Sequence, residues 1–180
     1  NGIVVIDEAY IDFSSQPSWL NRLKEFPNLV ITQTLSKAYG LAGIRLGICY
    51  ASESIISILN KIKPPYNVNQ LTQEKALERL SAFNDVDKEV ETILKERDEL
   101  IHQLQQIGFV KTIYPSDANF ILAKVDDATM RYNQLIENGI VVRNRTTQPL
   151  CKNCLRFTVG THKENEKLIT ALNRLASNPY

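Results

Sequence analysis

Asp7 closes a β-branched run, Ile3-Val4-Val5-Ile6, and Tyr10 follows it three residues later. In open α/β sheets ligands bind beyond the carboxyl ends of the strands, so a carboxylate at such an end stands where a ligand would sit. It can hold a cationic ring nitrogen, and a nearby phenol can bond an adjacent oxygen. Further on, Thr34-Leu35-Ser36-Lys37 places a lysine beside hydroxyls, just past a second apolar run at Leu29-Val30-Ile31-Thr32. Gly40-Leu41-Ala42-Gly43-Ile44-Arg45-Leu46-Gly47 comes next, a small-residue loop that lets backbone approach a ligand. Its arginine presents a planar fork suited to phosphate.

Singly, each feature has an ordinary reading. Asp7 could cap a helix or bind a metal, Lys37 could be a solvated surface amine, and Arg45 could serve a salt bridge. Together they meet one chemical need. There is an acid for a pyridinium, a phenol for its ring oxygen, an amine for its aldehyde, and hydroxyls with an arginine for its phosphate. That is the requirement set of pyridoxal phosphate (PLP).

Val5-Ile6-Asp7-Glu8-Ala9-Tyr10, taken with the segment from Thr34 to Gly47, resembles the class I/II aminotransferases of fold type I. The segments at 7–13 and 154–161 point to their histidinol-phosphate branch, and the resemblance runs along essentially the whole chain. It implies an α/β fold: the C-terminal part of a large PLP-binding domain, then a small α+β C-terminal domain. Lys37 would hold the cofactor through its amine and then move the proton between carbon atoms. Desolvation and neighbouring cations suit a lysine to that work by lowering its pKa. Asp7 would keep the ring nitrogen protonated, Tyr10 would donate to the ring oxygen, and Thr34, Ser36 and Arg45 would hold the phosphate.

Arg156 matches the arginine that binds the substrate's acidic group, with Arg143 as a second anion contact and Arg145 a weaker candidate. A solvated strand edge is an equal reading for Arg143 and Arg145. The implied reaction is transamination between histidinol phosphate and 2-oxoglutarate, in histidine biosynthesis. One pocket must then accept a phosphate in one half-reaction and a carboxylate in the other. A homodimer is implied as well. Sister enzymes on the same scaffold, such as an aromatic aminotransferase or threonine-phosphate decarboxylase, are alternatives. So is a non-catalytic module, although a retired site need not keep Asp7, Tyr10, Lys37 and Arg45 all intact.

The elements that must position these residues follow from periodicity. Strands are expected at 3–6, 29–32 and 45–50, and the first reads as an inner strand of a parallel sheet, apolar on both faces. Helices are expected over 19–26, 52–61 with Ser52 as N-cap, and 69–81, the double proline at Pro64-Pro65 stopping the second. The longest helical pattern, 85–107, ends at Gly108. Beyond it come strands at 109–113, 119–125, 140–143 and 155–159, a helix at 128–138 closed by Gly139, and a last helix over 162–176. Thr161 and Glu164 form a capping-box pattern for that last helix. The boundary falls between Phe83 and Val90, so residues 1–85 read as the end of the PLP-binding domain and 86–180 as the small domain.

Composition narrows the class. The 180 residues carry 21 Lys+Arg against 20 Asp+Glu, which argues against a general nucleic-acid or membrane-surface binder. No apolar run approaches the length of a membrane span. Three cysteines suit a reducing compartment, hence a cytoplasmic expectation. Cys151-Lys152-Asn153-Cys154 is a single CxxC that lacks a second metal-ligand pair, so no metal site is expected, and it leads into a strand where a redox motif would open a helix, so no redox role is expected either. A buried-type strand so near the first residue is the pattern of a piece of a longer protein. Relatives carry further phosphate-binding, ring-contacting and substrate-binding residues upstream, so this chain alone is expected to bind PLP weakly or not at all, with negligible turnover.

Overall fold

Strand β1 (Val4–Asp7) lies parallel to β2 (Leu29–Thr34), with Asp7 opposite Thr32, and β3 (Gly47–Ala51) returns antiparallel to β2. The molecule is described by a computed structural model covering residues 2–177. It divides into two units, Asn1–Val90 and Glu91–Tyr180.

In the first unit the sheet order is β1-β2-β3, mixed rather than purely parallel. Among the described residues β2 is the one strand partner of β1, and Val4 and Val5 remain 52% and 61% exposed. One neighbour satisfies one edge, and a β-branched run is buried only where layers cover both faces. β2 is the inner strand, with Leu29, Val30 and Ile31 buried. The 19–26 segment forms a 3-10 helix, Trp19–Glu25. Helices α1 (Glu53–Ile62) and α2 (Gln70–Ser81) follow. Ser52 stands at the N-cap position of α1, but its hydroxyl donates to the Pro27 carbonyl instead of capping. Asn69 does cap α2, accepting the Thr72 N–H at 2.9 Å.

Helix α3 (Phe83–Leu104) begins in the first unit and ends in the second. The second unit holds an antiparallel sheet in the order β4-β5-β7-β6: β4 (Val110–Ile113), β5 (Phe120–Val125), β6 (Arg143–Asn144) and β7 (Cys154–Thr158). Helices α4 (Ala128–Glu137) and α5 (His162–Ser177) complete it. Period-2 alternation puts Ile121, Ala123 and Val125 of β5 in one buried cluster with Leu155 and Phe157 of β7. Leu104 of α3, Leu135 of α4 and Leu172 of α5 pack into the same cluster. Burying each such side chain contributes about 1.5–3 kcal/mol.

Two local expectations change here. The strand expected at 140–143 shrinks to Arg143–Asn144, because Ile140, Val141 and Val142 leave the ladder. The Thr161–Glu164 box forms on one side: Glu164 Oε2 accepts both the Thr161 N–H and the Thr161 hydroxyl at 2.7 Å, so that hydroxyl caps no backbone N–H. No helix of the described residues is long and apolar enough to cross a membrane.

Candidate active site

Parallel pairing of β1 with β2 sets the first half of the site. Asp7, at the end of β1 and exposed, accepts the Ala9 N–H at 3.0 Å and the Thr32 hydroxyl at 3.4 Å. Those two bonds hold one carboxylate oxygen, and the acid keeps capacity for a cationic partner.

The residue beside it, Glu8, was not legible as a site element, yet it is 6% exposed and ties three segments together. It accepts from the Ser18 hydroxyl at 2.6 Å, the Trp19 N–H at 2.7 Å and the Gln33 amide at 2.9 Å. Burial pushes its pKa up, but the bonds from Ser18, Gln33 and Trp19 outweigh burial and hold the carboxyl below its ordinary range. The turn from Asp7 to Tyr10 is thereby fastened to β2 and to the loop at Ser18. A sequence signal existed in the second acid directly after Asp7, but its burial depends on the tertiary fold.

Lys37 is held by its backbone. Gly40 N–H donates to the Lys37 carbonyl at 3.0 Å, and Leu41 N–H returns to the Leu35 carbonyl at 2.9 Å. Gly40 takes φ +69, the left-handed conformation that glycine adopts without steric cost. Leu35 and Ala38, buried on either side of Lys37, anchor the turn from below. The Lys37 ammonium lies 5.0 Å from the centroid of the Tyr10 ring, within cation–π range. The amine and the phenol, read separately in the sequence, therefore share one place.

Thr34 and Ser36 also meet: their hydroxyl oxygens are 2.9 Å apart, and the Ser36 N–H donates to Thr34 Oγ1 at 3.1 Å. The loop closes at its base where the Leu35 N–H reaches the Leu46 carbonyl at 3.4 Å. Arg45 is exposed, takes φ +56, and donates from its guanidinium to the Ala42 carbonyl at 2.7 Å. A non-glycine residue in that region is strained, and the strain sits at the junction between loop and strand β3.

In the second unit, Arg143 and Arg156 are directly opposed across β6 and β7. Like charges in that position repel unless an anion lies between them or solvent screens them. Arg156 stacks over the Phe120 ring at 4.9 Å, and its Nε is buried with no hydrogen-bond partner. A buried donor without an acceptor is costly, and a bound anion is the natural remedy. Phe120 was not anticipated; it follows from the β5–β7 register, which sets it opposite Thr158, two residues along β7 from Arg156. Arg145 uses its backbone N–H on the Cys154 carbonyl at 2.9 Å.

The donor set in the first unit fits a flat phosphorylated heterocycle with an aldehyde: carboxylate, phenol, amine and paired hydroxyls in one loop cluster. Sequence comparison places this arrangement in a family. The chain belongs to the class I and II aminotransferases, whose pattern it matches over residues 1–172, a family of PLP enzymes. It is 67% identical, over 97% of its length, to a histidinol-phosphate aminotransferase of Flavobacterium johnsoniae, and covers 50% of that protein. A second relative of the same name, from Parabacteroides distasonis, is 56% identical over 97% of this chain and is likewise 50% covered. The crystal structure of the histidinol-phosphate aminotransferase from Clostridium acetobutylicum superposes with TM-score 0.92 at 28% identity, over 98% of this chain and 55% of that one. The chain thus spans about half the length of the curated relatives it matches.

Proposed function

We propose that the protein to which these residues belong transfers an amino group between histidinol phosphate and 2-oxoglutarate with PLP as cofactor. It does so as a cytoplasmic homodimer acting on small molecules. The observation that carries this reading is the Lys37 ammonium on the ring of Tyr10, the phenol three residues after the Asp7 carboxylate at the end of β1.

PLP, when bound, supplies an electron sink that makes a carbon–hydrogen bond next to nitrogen acidic. The protein's share is positioning and proton movement. Asp7 would offer its carboxylate to a protonated ring nitrogen, and the Tyr10 phenol would donate to the ring oxygen. Thr34, Ser36 and Arg45 would hold the phosphate. Lys37 would hold the cofactor through its Nζ amine and, as general base and acid, would carry the proton from one carbon to the next. Arg156 with Arg143 takes the acidic end of the substrate, a phosphate in one half-reaction and a carboxylate in the other. Guanidinium forks bind both bidentately, so one pair of arginines serves two substrates. Division into residues 1–85 for the cofactor part and 86–180 for the small domain separates these duties.

The chain spans half the length of its relatives, which supports a companion reading: by itself it binds PLP weakly or not at all and turns over negligibly. The test compares the full-length protein with imidazole-acetol phosphate, aromatic 2-oxo acids and threonine phosphate as substrates. A clear preference in kcat/KM for imidazole-acetol phosphate is expected. A preference for aromatic acids, or release of carbon dioxide from threonine phosphate, would overturn the substrate assignment.

A further inference from the structure

Cys151 and Cys154 take no part in the reaction outlined above, yet the fold brings them together with unusual care. Three successive turns lead to them. Gln148 N–H donates to Arg145 O at 2.9 Å, Cys151 N–H to Gln148 O at 3.1 Å, and Cys154 N–H to Cys151 O at 3.0 Å. The last of these closes a β-turn with Asn153 at φ +58, where asparagine tolerates the left-handed region. A turn of this kind keeps its end Cα atoms within about 7 Å. A disulfide needs a Cα separation of about 4.4–6.8 Å, so the turn holds the two cysteines at bridging distance.

The turn is also anchored from outside. The Asn153 carbonyl accepts the Val125 N–H at 2.8 Å, and the Asn153 amide donates to the Asp126 carbonyl at 3.0 Å. The two thiols differ in character. Cys151 is half-buried and reachable from solvent, whereas Cys154 is 1% exposed and lies against Tyr114. Burial pushes the Cys154 thiol up and the Cys151 sulfur adds to the rise, while Tyr114 and Lys124 pull the other way. Among the described residues no group of three His, Cys, Asp or Glu side chains gathers to hold a metal, so the pair has no third ligand.

We propose that Cys151 and Cys154 form a reversible intrachain disulfide, making this turn a modification site for low-molecular-weight disulfides of the glutathione class. The accessible Cys151 acts first. Its thiolate attacks one sulfur of the oxidant's disulfide, joins to it, and expels the other half as a thiolate that takes up the proton Cys151 released. Cys154 then gives its proton to solvent and attacks the Cys151 sulfur. The mixed disulfide breaks, and the second half leaves and is protonated. The two cysteines lose two electrons between them, and one oxidant disulfide becomes two thiols. The new bond staples the start of β7, two residues before Arg156, at the carbonyl that accepts the Arg145 N–H.

The test uses the full chain with the exposed Cys49 replaced by serine, Cys49→Ser, incubated in mixtures of reduced and oxidised glutathione. Free thiols are then alkylated and the chain is digested with trypsin, which cuts after Arg145, Lys152 and Arg156. Expected is a reducible species joining residues 146–152 to 153–156, with no glutathione retained. Its midpoint should lie at a glutathione ratio about tenfold more reducing in the native chain than in urea, equivalent to roughly 30 mV. In Cys154→Ser the same treatment should trap one glutathione on Cys151. The proposal is overturned by stable glutathione on Cys151 in the Cys49→Ser chain with Cys154 still alkylated. It is equally overturned by native and urea midpoints that coincide, since the fold would then contribute nothing to the pairing.

Discussion

The Lys37 ammonium stands 5.0 Å from the centre of the Tyr10 ring, although 27 positions separate them in the chain. The ring face of that phenol attracts the cation, and its hydroxyl is the group proposed above to donate to the cofactor's ring oxygen. Tyr10→Phe keeps the first and deletes the second. In the full-length protein this substitution should lower kcat/KM by about tenfold, matching roughly 1–1.5 kcal/mol of lost hydrogen bonding. Lys37→Ala removes the amine and should cost about a thousandfold or more in kcat. Steady-state rates with histidinol phosphate check both, and wild-type rates in Lys37→Ala would remove the lysine from the site.

The opposed arginines should separate by their surroundings. Arg156 has an aromatic ring under its guanidinium and a buried Nε awaiting an acceptor, while Arg143 is exposed. Arg156→Lys, which keeps the charge and loses the fork, should raise KM for the phosphorylated substrate by about ten- to a hundredfold, from roughly 1.5–3 kcal/mol of charge-assisted bonding. Arg143→Lys should raise it by less than about tenfold. Initial-rate measurements across substrate concentration distinguish the two, and equal effects would argue against this division of labour.

Acid should weaken both units by a common mechanism. The Arg131 guanidinium, bonded to Asp126 at 2.6 Å, holds that carboxyl below its ordinary 3.8, with burial opposing. Glu8 is likewise below its ordinary 4.5, its bonds exceeding the effect of burial. A carboxylate whose folded pKa is depressed stabilises the fold fully above its unfolded value, and the contribution fades as pH falls through the folded value. The urea midpoint should therefore decline as pH drops below about 5. Asp126→Asn should lower the neutral-pH stability by about 2 kcal/mol, because the nearly buried Arg131 loses its partner, and should flatten the acid decline. Urea melts at several pH values decide it.

Gly160 leaves room for the start of α5. A Cβ built there would lie 2.9 Å from Glu164 Cβ and 2.9 Å from Glu164 Oε2, the carboxylate oxygen that receives Thr161. Gly160→Ala should destabilise the chain by about 1–3 kcal/mol, since Cβ against Cβ cannot be relieved by a side-chain swing alone. A thermal melt within error of the wild-type curve would contradict that reading.

Much of this architecture is local and so could be read directly along the chain. Periodicity located the five α-helices of the described residues to within a few residues, because an amphipathic stripe with polar flanks is a local pattern, while the short 3-10 turns at Ile11–Phe13 and Ala42–Ile44 carry no such stripe. The residue types at 7, 10, 34, 36, 37 and 45 named a chemistry, since carboxylate, phenol, amine and hydroxyls in that company suit one kind of ligand. Errors came where distant segments decide the outcome. The strand expected at 140–143 kept only Arg143–Asn144, because pairing with β7 decides where the ladder runs. Ser52 had the right identity for a cap, but the Pro27 carbonyl competed for its hydroxyl.

The sequence by itself determined the inventory of reactive groups and their order, because side-chain chemistry belongs to each residue alone. Tertiary structure decided which groups meet. Asp7 reaches Thr32 through parallel register, Lys37 reaches Tyr10 through a glycine turn, and Arg143 faces Arg156 through strand pairing. The burial of Glu8 and of the Arg156 Nε belongs to the same level. Desolvation is a property of everything packed around an atom, and a linear chain does not carry it.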